Sequence, residues 1–288
     1  MILVTGSTGH LGKATIKFLL NKVPASQIAA FARDKDKAAE FTEKGIDVRI
    51  GNYNDYASLQ EATKGIDTVL LISSADMADR VGQHINVINA AKENGVKHIL
   101  YTSADVKDIN NSATGQIATD HAGTADYLRK SGVAYTLLNN NLYADVIPMF
   151  VGEKVLETGV YFPGGEGKVP FATREDMAEA AAVVLTTGGH ENKEYTIAGD
   201  VAYSFGDIAQ LLSDITGKGI AYTSPTANEH ARVLTAAGVP EFYVGMLGSF
   251  AKAIKNSEFD TQNTDLTTLL GRKPTALKEY LQSVFGAK

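Results

Sequence analysis

The apolar positions of this chain fall into two rhythms. Six short runs are apolar on nearly consecutive residues: ILVT at 2–5, IAAFAR at 28–33, DVRI at 47–50, TVLLIS at 68–73, HILYTS at 98–103 and AYTLLN at 134–139. A strand with one wet face alternates apolar with polar, whereas short unbroken runs suit strands covered on both faces. Helical spacing fills the intervals, over about 10–22, 35–44, 55–64, 78–94 and 116–131. Six strands alternating with helices predict an α/β fold built on a doubly wound parallel sheet.

The rhythm changes near residue 147. A helix is expected around 148–157, then a glycine-bearing stretch PGGEGKVPF at 163–171 and a strong helix in REDMAEAAAVVLTT at 174–187. After EYTIAG, further helices are expected near 204–216, 228–237, 240–256 and 275–285. This predicts a Rossmann-type doubly wound domain over 1–145, to which a segment at about 174–200 returns. Residues 146–288 otherwise form a small, mainly helical C-terminal lobe over the carboxyl edge of the sheet, where such folds bind ligands. Internal repeats and low-complexity tracts are not evident.

Composition narrows the possibilities. The 288 residues are 44% hydrophobic and 21% charged, the balance of a globular protein with a large core. A net charge of −6 without a long basic run argues against nucleic acid as a partner. Cysteine is absent, which removes disulfides, thiolate metal sites and a cysteine nucleophile. The opening MILVT runs straight into a glycine motif, leaving no room for a signal peptide, and no apolar stretch is long enough for a bilayer. A cytoplasmic protein, monomer or homodimer, is expected.

The candidate chemistry begins at VTGSTGHLGK, residues 4–13. Glycines spaced G-x-x-G-x-x-G between a strand and a helix expose backbone amides and the positive end of the helix dipole to a pyrophosphate. Gly6 allows the tight turn, Gly9 the phosphate's approach, and Gly12 close packing of helix on sheet. The candidate phosphate-binding residues are Gly6, Thr8, Gly9, His10, Leu11 and Gly12. The second strand's end meets the adenosine ribose, where an acidic side chain suits NAD and arginine suits the 2′-phosphate of NADP. FARDKDK places Arg33 there, with Lys35 and Lys37 beyond, so NADPH is the expected cofactor and NADH the weaker one. The alternative is that Asp34 takes the ribose hydroxyls. By position, Asn52 and Tyr53 should flank the adenine, Ser73 and Ser74 the second ribose, and Thr102 and Ser103 the nicotinamide; these hydroxyls could equally satisfy local backbone.

Taken together, VTGSTGHLG, the second-strand arginine, VKHILYTSAD, SGVAYTLLNNNLYADV, GKVPFATREDMAEAAAVVLT and GHENKEYTIAGD resemble the NmrA-like atypical short-chain dehydrogenase/reductases. Within that family the resemblance is to the branch holding type 2 NAD(P)H quinone oxidoreductases and triphenylmethane reductase, and it covers essentially the whole chain. It implies NADPH binding and hydride transfer to a small quinone-like or related electrophilic, conjugated acceptor, dyes included. A more distant resemblance is to regulators that bind NADP(H) to sense its redox state without turnover. Two positions depart from the family pattern: Gly123-Thr124-Ala125 stands where an acidic Glu-Thr-Glu stretch follows the histidine, and Asn139 where an arginine ends the sixth strand.

Ordinary short-chain dehydrogenases protonate an alkoxide with a Tyr-x-x-x-Lys pair. None of the twelve tyrosines here has lysine four residues later. A quinone needs less help, because hydride addition leaves an aromatic, weakly basic oxyanion. Catalysis would then rest on near-attack geometry and electrostatic support. The helix that would carry the pair reads ATDHAGTADYLRKSG, and its His121 is the candidate catalytic residue, able to donate a hydrogen bond or, protonated, to stabilise the anion. A histidine packed between helix and sheet is the alternative. Asn141, Tyr143, Phe150 and Phe171, with Phe162, are candidate walls of a substrate pocket, although such aromatic sets are often core. No histidine has a partner at metal-ligand spacing, so no metal site is expected.

Overall fold

The computed structural model describes residues 1–286. Seven strands form one fully parallel sheet: β1 (Ile2–Val4), β2 (Ile28–Ala32), β3 (Asp47–Ile50), β4 (Thr68–Leu71), β5 (His98–Ala104), β6 (Ala134–Asn140) and β8 (Lys193–Ile197). Their spatial order is β3-β2-β1-β4-β5-β6-β8, with β7 (Val160–Tyr161) and β9 (Tyr222–Thr223) pairing separately. The order reverses between β1 and β4, which opens the crevice in which doubly wound sheets take ligands.

Alternate residues of each strand feed opposite faces. On one face Ile2, Val4, Ala30, Leu70 and Leu138 pack beneath α1 (His10–Leu20), α2 (Ala39–Glu43), α8 (Arg174–Thr186) and α12 (Leu266–Leu270). On the other, Leu3, Phe31, Val69, Leu71, Tyr101 and Leu137 pack beneath α3 (Tyr56–Thr63), α4 (Arg80–Glu93) and α5 (Gln116–Lys130). The four alanines of α8, all buried, keep its packing face flat enough to lie against α1.

A third core lies in the C-terminal lobe, among α6 (Ile147–Val151), α7 (Val155–Thr158), α9 (Phe205–Thr216), α10 (Ala227–Ala236), α11 (Glu241–Lys255) and α13 (Leu277–Phe285). Phe162 anchors it, its ring centroid 4.2 Å from that of Phe205 and 5.2 Å from that of Phe150. The single helix expected near 148–157 is two short ones, because Gly152 at φ +80° ends the first turn in a conformation other residues avoid. Helices α9 and α10 start at capping boxes, Ser204 with Asp207 and Thr226 with Glu229. The EYTIAG stretch supplies the seventh strand, one more than the six apolar runs predicted.

Candidate active site

A groove of about 420 Å³ runs along the carboxyl ends of β1, β2 and β4. Its floor is the glycine turn. Gly6 takes φ +57°, the Gly9 amide donates to the Gly6 carbonyl at 3.0 Å, and the Ser7 hydroxyl ties the turn to the Phe31 carbonyl at 2.9 Å. A Cβ on Gly12 would lie 2.4 Å from the Gly6 carbonyl oxygen, so only glycine lets α1 start this close to the turn. Gly9 caps α1 with extended backbone, and no acidic side chain occupies the first turn to compete for the free amides. Gly6, Thr8 and Gly9 line the groove; His10 is exposed on the first turn, and Leu11 is buried in the core beneath it.

Arg33 and Asp34, the alternatives at the second strand's end, are placed differently. The Asp34 carboxylate accepts the backbone amides of Asp36 and Lys37 at 2.9 and 3.2 Å, closing a local turn. Arg33 and Lys37 line the groove, and Asp34 does not. This end of the groove therefore carries two cations, Arg33 and Lys37, the second 4.0 Å from the Asp34 carboxylate, and cations here suit a 2′-phosphate. Farther along, Asn52 holds the amides of Asn54 and Asp55, and Tyr53 lies on Phe31 with its hydroxyl fixed between Thr5 Oγ1 at 2.6 Å and the Ile72 carbonyl at 2.9 Å. Tyr53 is a rigid wall, its polar atom already occupied.

Ser73 and Ser74 both reach the groove, whereas Thr102 lies beneath it and accepts the Ser73 amide at 2.9 Å. Among the described residues the buried Ser73 hydroxyl has no hydrogen-bond partner. The Ser74 amide donates to His84 Nε2 at 2.9 Å, so His84 carries its proton on Nδ1, which donates to Thr124 Oγ1 at 2.8 Å. Burial, reinforced by the nearby His121 and Arg80, lowers the His84 pKa to about 3. Thr124, inside the Gly-Thr-Ala departure, donates its own hydroxyl to the Asp120 carbonyl at 3.0 Å. Asp76 and Gln83, joined at 2.8 Å, also line the groove; they lie in and after an irregular loop with no motif to mark them in the sequence.

A second cleft, about 230 Å³, opens between α5 and the ends of β5 and β6, lined by Ser103, Asp105, His121 and Asn139. Between the groove and this cleft stands Tyr101, fully buried, its hydroxyl 2.9 Å from His121 Nδ1 and facing the Ser73 hydroxyl. Burial, then the Arg80 charge, pulls the His121 pKa down to about 4, so the imidazole is neutral at pH 7. Arg80 and Asp120 are both buried at a loose 3.9 Å. Tyr127, on the same helix as His121, turns away to bond Asn89 at 2.8 Å.

The remaining expected substrate walls divide differently. Phe150, Phe162 and Phe171 lie in the lobe core, 5%, 0% and 3% exposed, and line neither depression. Their apolar rings gain more by packing on one another than by facing a wet cleft. Asn141 is buried and braces the loop after β5, donating to Asp105 Oδ2 at 2.9 Å and the Phe259 carbonyl at 3.0 Å. Tyr143 is half-buried with Arg174 stacked 4.7 Å from its ring centre.

Residues 1–281 match the NmrA-like family. The chain belongs to the NmrA-like family. Among its relatives is quinone oxidoreductase 2 of Escherichia coli K12, 40% identical over 287 residues and covering 99% of both chains. The NADP(H) complex of triphenylmethane reductase from Citrobacter sp. superimposes with a TM-score of 0.92 at 37% identity, over 98% of this chain and 99% of that one. The NADPH complex of the E. coli NADPH-dependent quinone oxidoreductase superimposes at 0.91 and 36% identity, over 99% and 100%. The NmrA-like assignment agrees with the glycine turn, the sheet order and the helical lobe.

Proposed function

We propose that this NmrA-like protein is an NADPH-dependent reductase that transfers hydride to quinones or related electrophilic, conjugated acceptors, triphenylmethane dyes among them. The observation that carries this reading is the pairing of a groove ending in Arg33 and Lys37, with Asp34 withdrawn, with a helix α5 that lacks a tyrosine–lysine acid. The relatives that share the whole chain are named for these activities.

The glycine turn and the N-terminus of α1 would hold the pyrophosphate, Arg33 and Lys37 the 2′-phosphate, and Ser73 and Ser74 the second ribose. When bound, the reduced nicotinamide supplies the hydride. His121, neutral and open to the cleft at Ser103 and Asn139, would donate a hydrogen bond to the acceptor oxygen rather than a proton. Giving up a proton would leave an imidazolate, or a tyrosinate at Tyr101, and burial holds that phenol well above its ordinary range. Water therefore supplies the proton that completes the hydroquinone. Residues 1–145 with 174–200 act as the cofactor unit and the rest as its cover, in a cytoplasmic monomer or homodimer. Among the described residues no helix is long and apolar enough to cross a membrane.

The test is NADPH oxidation against a panel of small quinones and triphenylmethane dyes. Steady consumption supports the reductase. Tight NADPH binding with no acceptor turnover would favour a redox-sensing regulator instead.

A further inference from the structure

His84 and His121 lie on adjacent helices, with Tyr101 between them, its ring centroid 5.4 Å from the first and 6.0 Å from the second. The hydrogen-bond partners determine their protonation separately. A backbone amide can only donate, so the Ser74 contact forces His84 into the Nδ1–H form. Thr124 then accepts from His84 and donates to the Asp120 carbonyl, so its proton is not available to Tyr101. The Ser73 hydroxyl faces the phenol without reaching hydrogen-bond geometry. The Thr124 oxygen also faces the phenol, but among the described residues the contact that reaches hydrogen-bond geometry for the Tyr101 hydroxyl is His121 Nδ1 at 2.9 Å.

Two arrangements satisfy that contact, and chemistry separates them. A phenol is a strong O–H donor and a weak acceptor, while the imine nitrogen of a neutral imidazole is a strong acceptor. The O–H to N direction is the better bond, and it places the remaining imidazole proton on Nε2. No described residue bonds Nε2, and the His121 ring lines the cleft with Ser103 and Asn139. We infer that Tyr101 is a positioning residue, which holds His121 as the Nε2–H tautomer and so aims a fixed donor into the cleft where the acceptor's oxygen would sit. His84 and His121 then carry opposite tautomers, imposed by a backbone amide in one case and a buried phenol in the other. The tyrosine missing from the helix is replaced, in this reading, by one on the strand that acts through a histidine. The inference rests on the reductase reading for its catalytic consequence but not for the tautomer.

Nitrogen-15 correlation spectra of the imidazoles in the full-length protein, with and without NADP⁺, test the tautomer directly. Loss of one signal set in His121→Gln assigns His121, and His84 serves as the internal opposite. The expected spectrum has His121 protonated on Nε2 and His84 on Nδ1. Tyr101→Phe keeps the ring and removes the hydroxyl; it should mix the His121 tautomers, leave NADPH affinity unchanged, and lower kcat for a quinone about tenfold, the worth of roughly one hydrogen bond. In a His121→Ala background the same change should cost nothing further, which a merely structural loss would not reproduce. His121 found as Nδ1–H in the unaltered protein overturns the inference, with no variant needed. So does Tyr101→Phe with tautomer and kcat unchanged. The expected tautomers in a protein that turns over no quinone would uphold the positioning and reject the proposed function.

Discussion

Acid should destabilise this protein well before its carboxylates are lost, because two neutral imidazoles are built into the wall between groove and cleft. Unfolded histidine titrates near 6.5, whereas in the fold burial lowers His84 to about 3 and His121 to about 4. Below 6.5 the unfolded chain gains protons that the folded one refuses, so stability falls as pH falls, until the folded pKa values are reached. Each unit of such difference is worth about 1.36 kcal/mol, so each histidine removes about 2 kcal/mol between pH 7 and pH 5. The pair removes about 4 kcal/mol, a large share of a total that is typically about 5–15 kcal/mol. Burial lowers His98, His190 and His230 in the same direction. Urea unfolding at pH 7 and pH 5 measures the difference. His84→Asn, which cannot be protonated, should flatten the profile by about half of the pair's share. A loss of less than about 1 kcal/mol at pH 5 would show that these imidazoles accept protons in place, and the wall would not be the rigid neutral network described.

Three further outcomes are expected. Arg33→Asp should weaken NADPH but not NADH, by about 1.5–3 kcal/mol or roughly 10- to 150-fold for a charge-assisted bond, as read by titrating both cofactors; equal affinities in the unaltered protein would remove Arg33 as the selector. Gly9→Val should abolish NADPH binding by calorimetry while circular dichroism stays native, since the extended backbone at Gly9 accepts a side chain whose Cβ meets the Gly6 carbonyl at a tight but tolerable 3.3 Å. Tyr127→Phe should keep quinone kcat/KM within a few-fold, because its hydroxyl is turned to Asn89, where a positioned acid would contribute about 10²–10⁴.

The parts of the fold that were legible are those in which local pattern and global burial agree. Runs such as TVLLIS and HILYTS became central strands, and the glycine spacing became a phosphate turn, since nothing distant had to be known to read them. The two-residue strands β7 and β9 and the five-residue helix α12 carry too few positions to show a period. The aromatics were ambiguous for a physical reason: Phe150 and Phe171 have the same composition as a pocket wall, and packing on residues distant in sequence, such as Phe205 more than thirty positions later, makes them core. The site's polar wiring was the least legible. Tyr101 reads as one more apolar strand residue, and its contact with His121, twenty residues on, exists only once β5 and α5 are packed.

The seventh strand also bears on how the chain is made. Strand β6 ends at Asn140, and β8, which covers its open edge, begins only at Lys193, with much of the lobe in between. At synthesis rates of about 5–20 residues per second, the nascent protein shows an unpaired edge for roughly 3–10 seconds before its partner is even polymerised. An exposed parallel edge is a template for another chain. The polar residues at the end of that strand, Asn139 and Asn140, stand on it throughout the wait, the interval in which the ribosome-bound chain is most exposed to its neighbours.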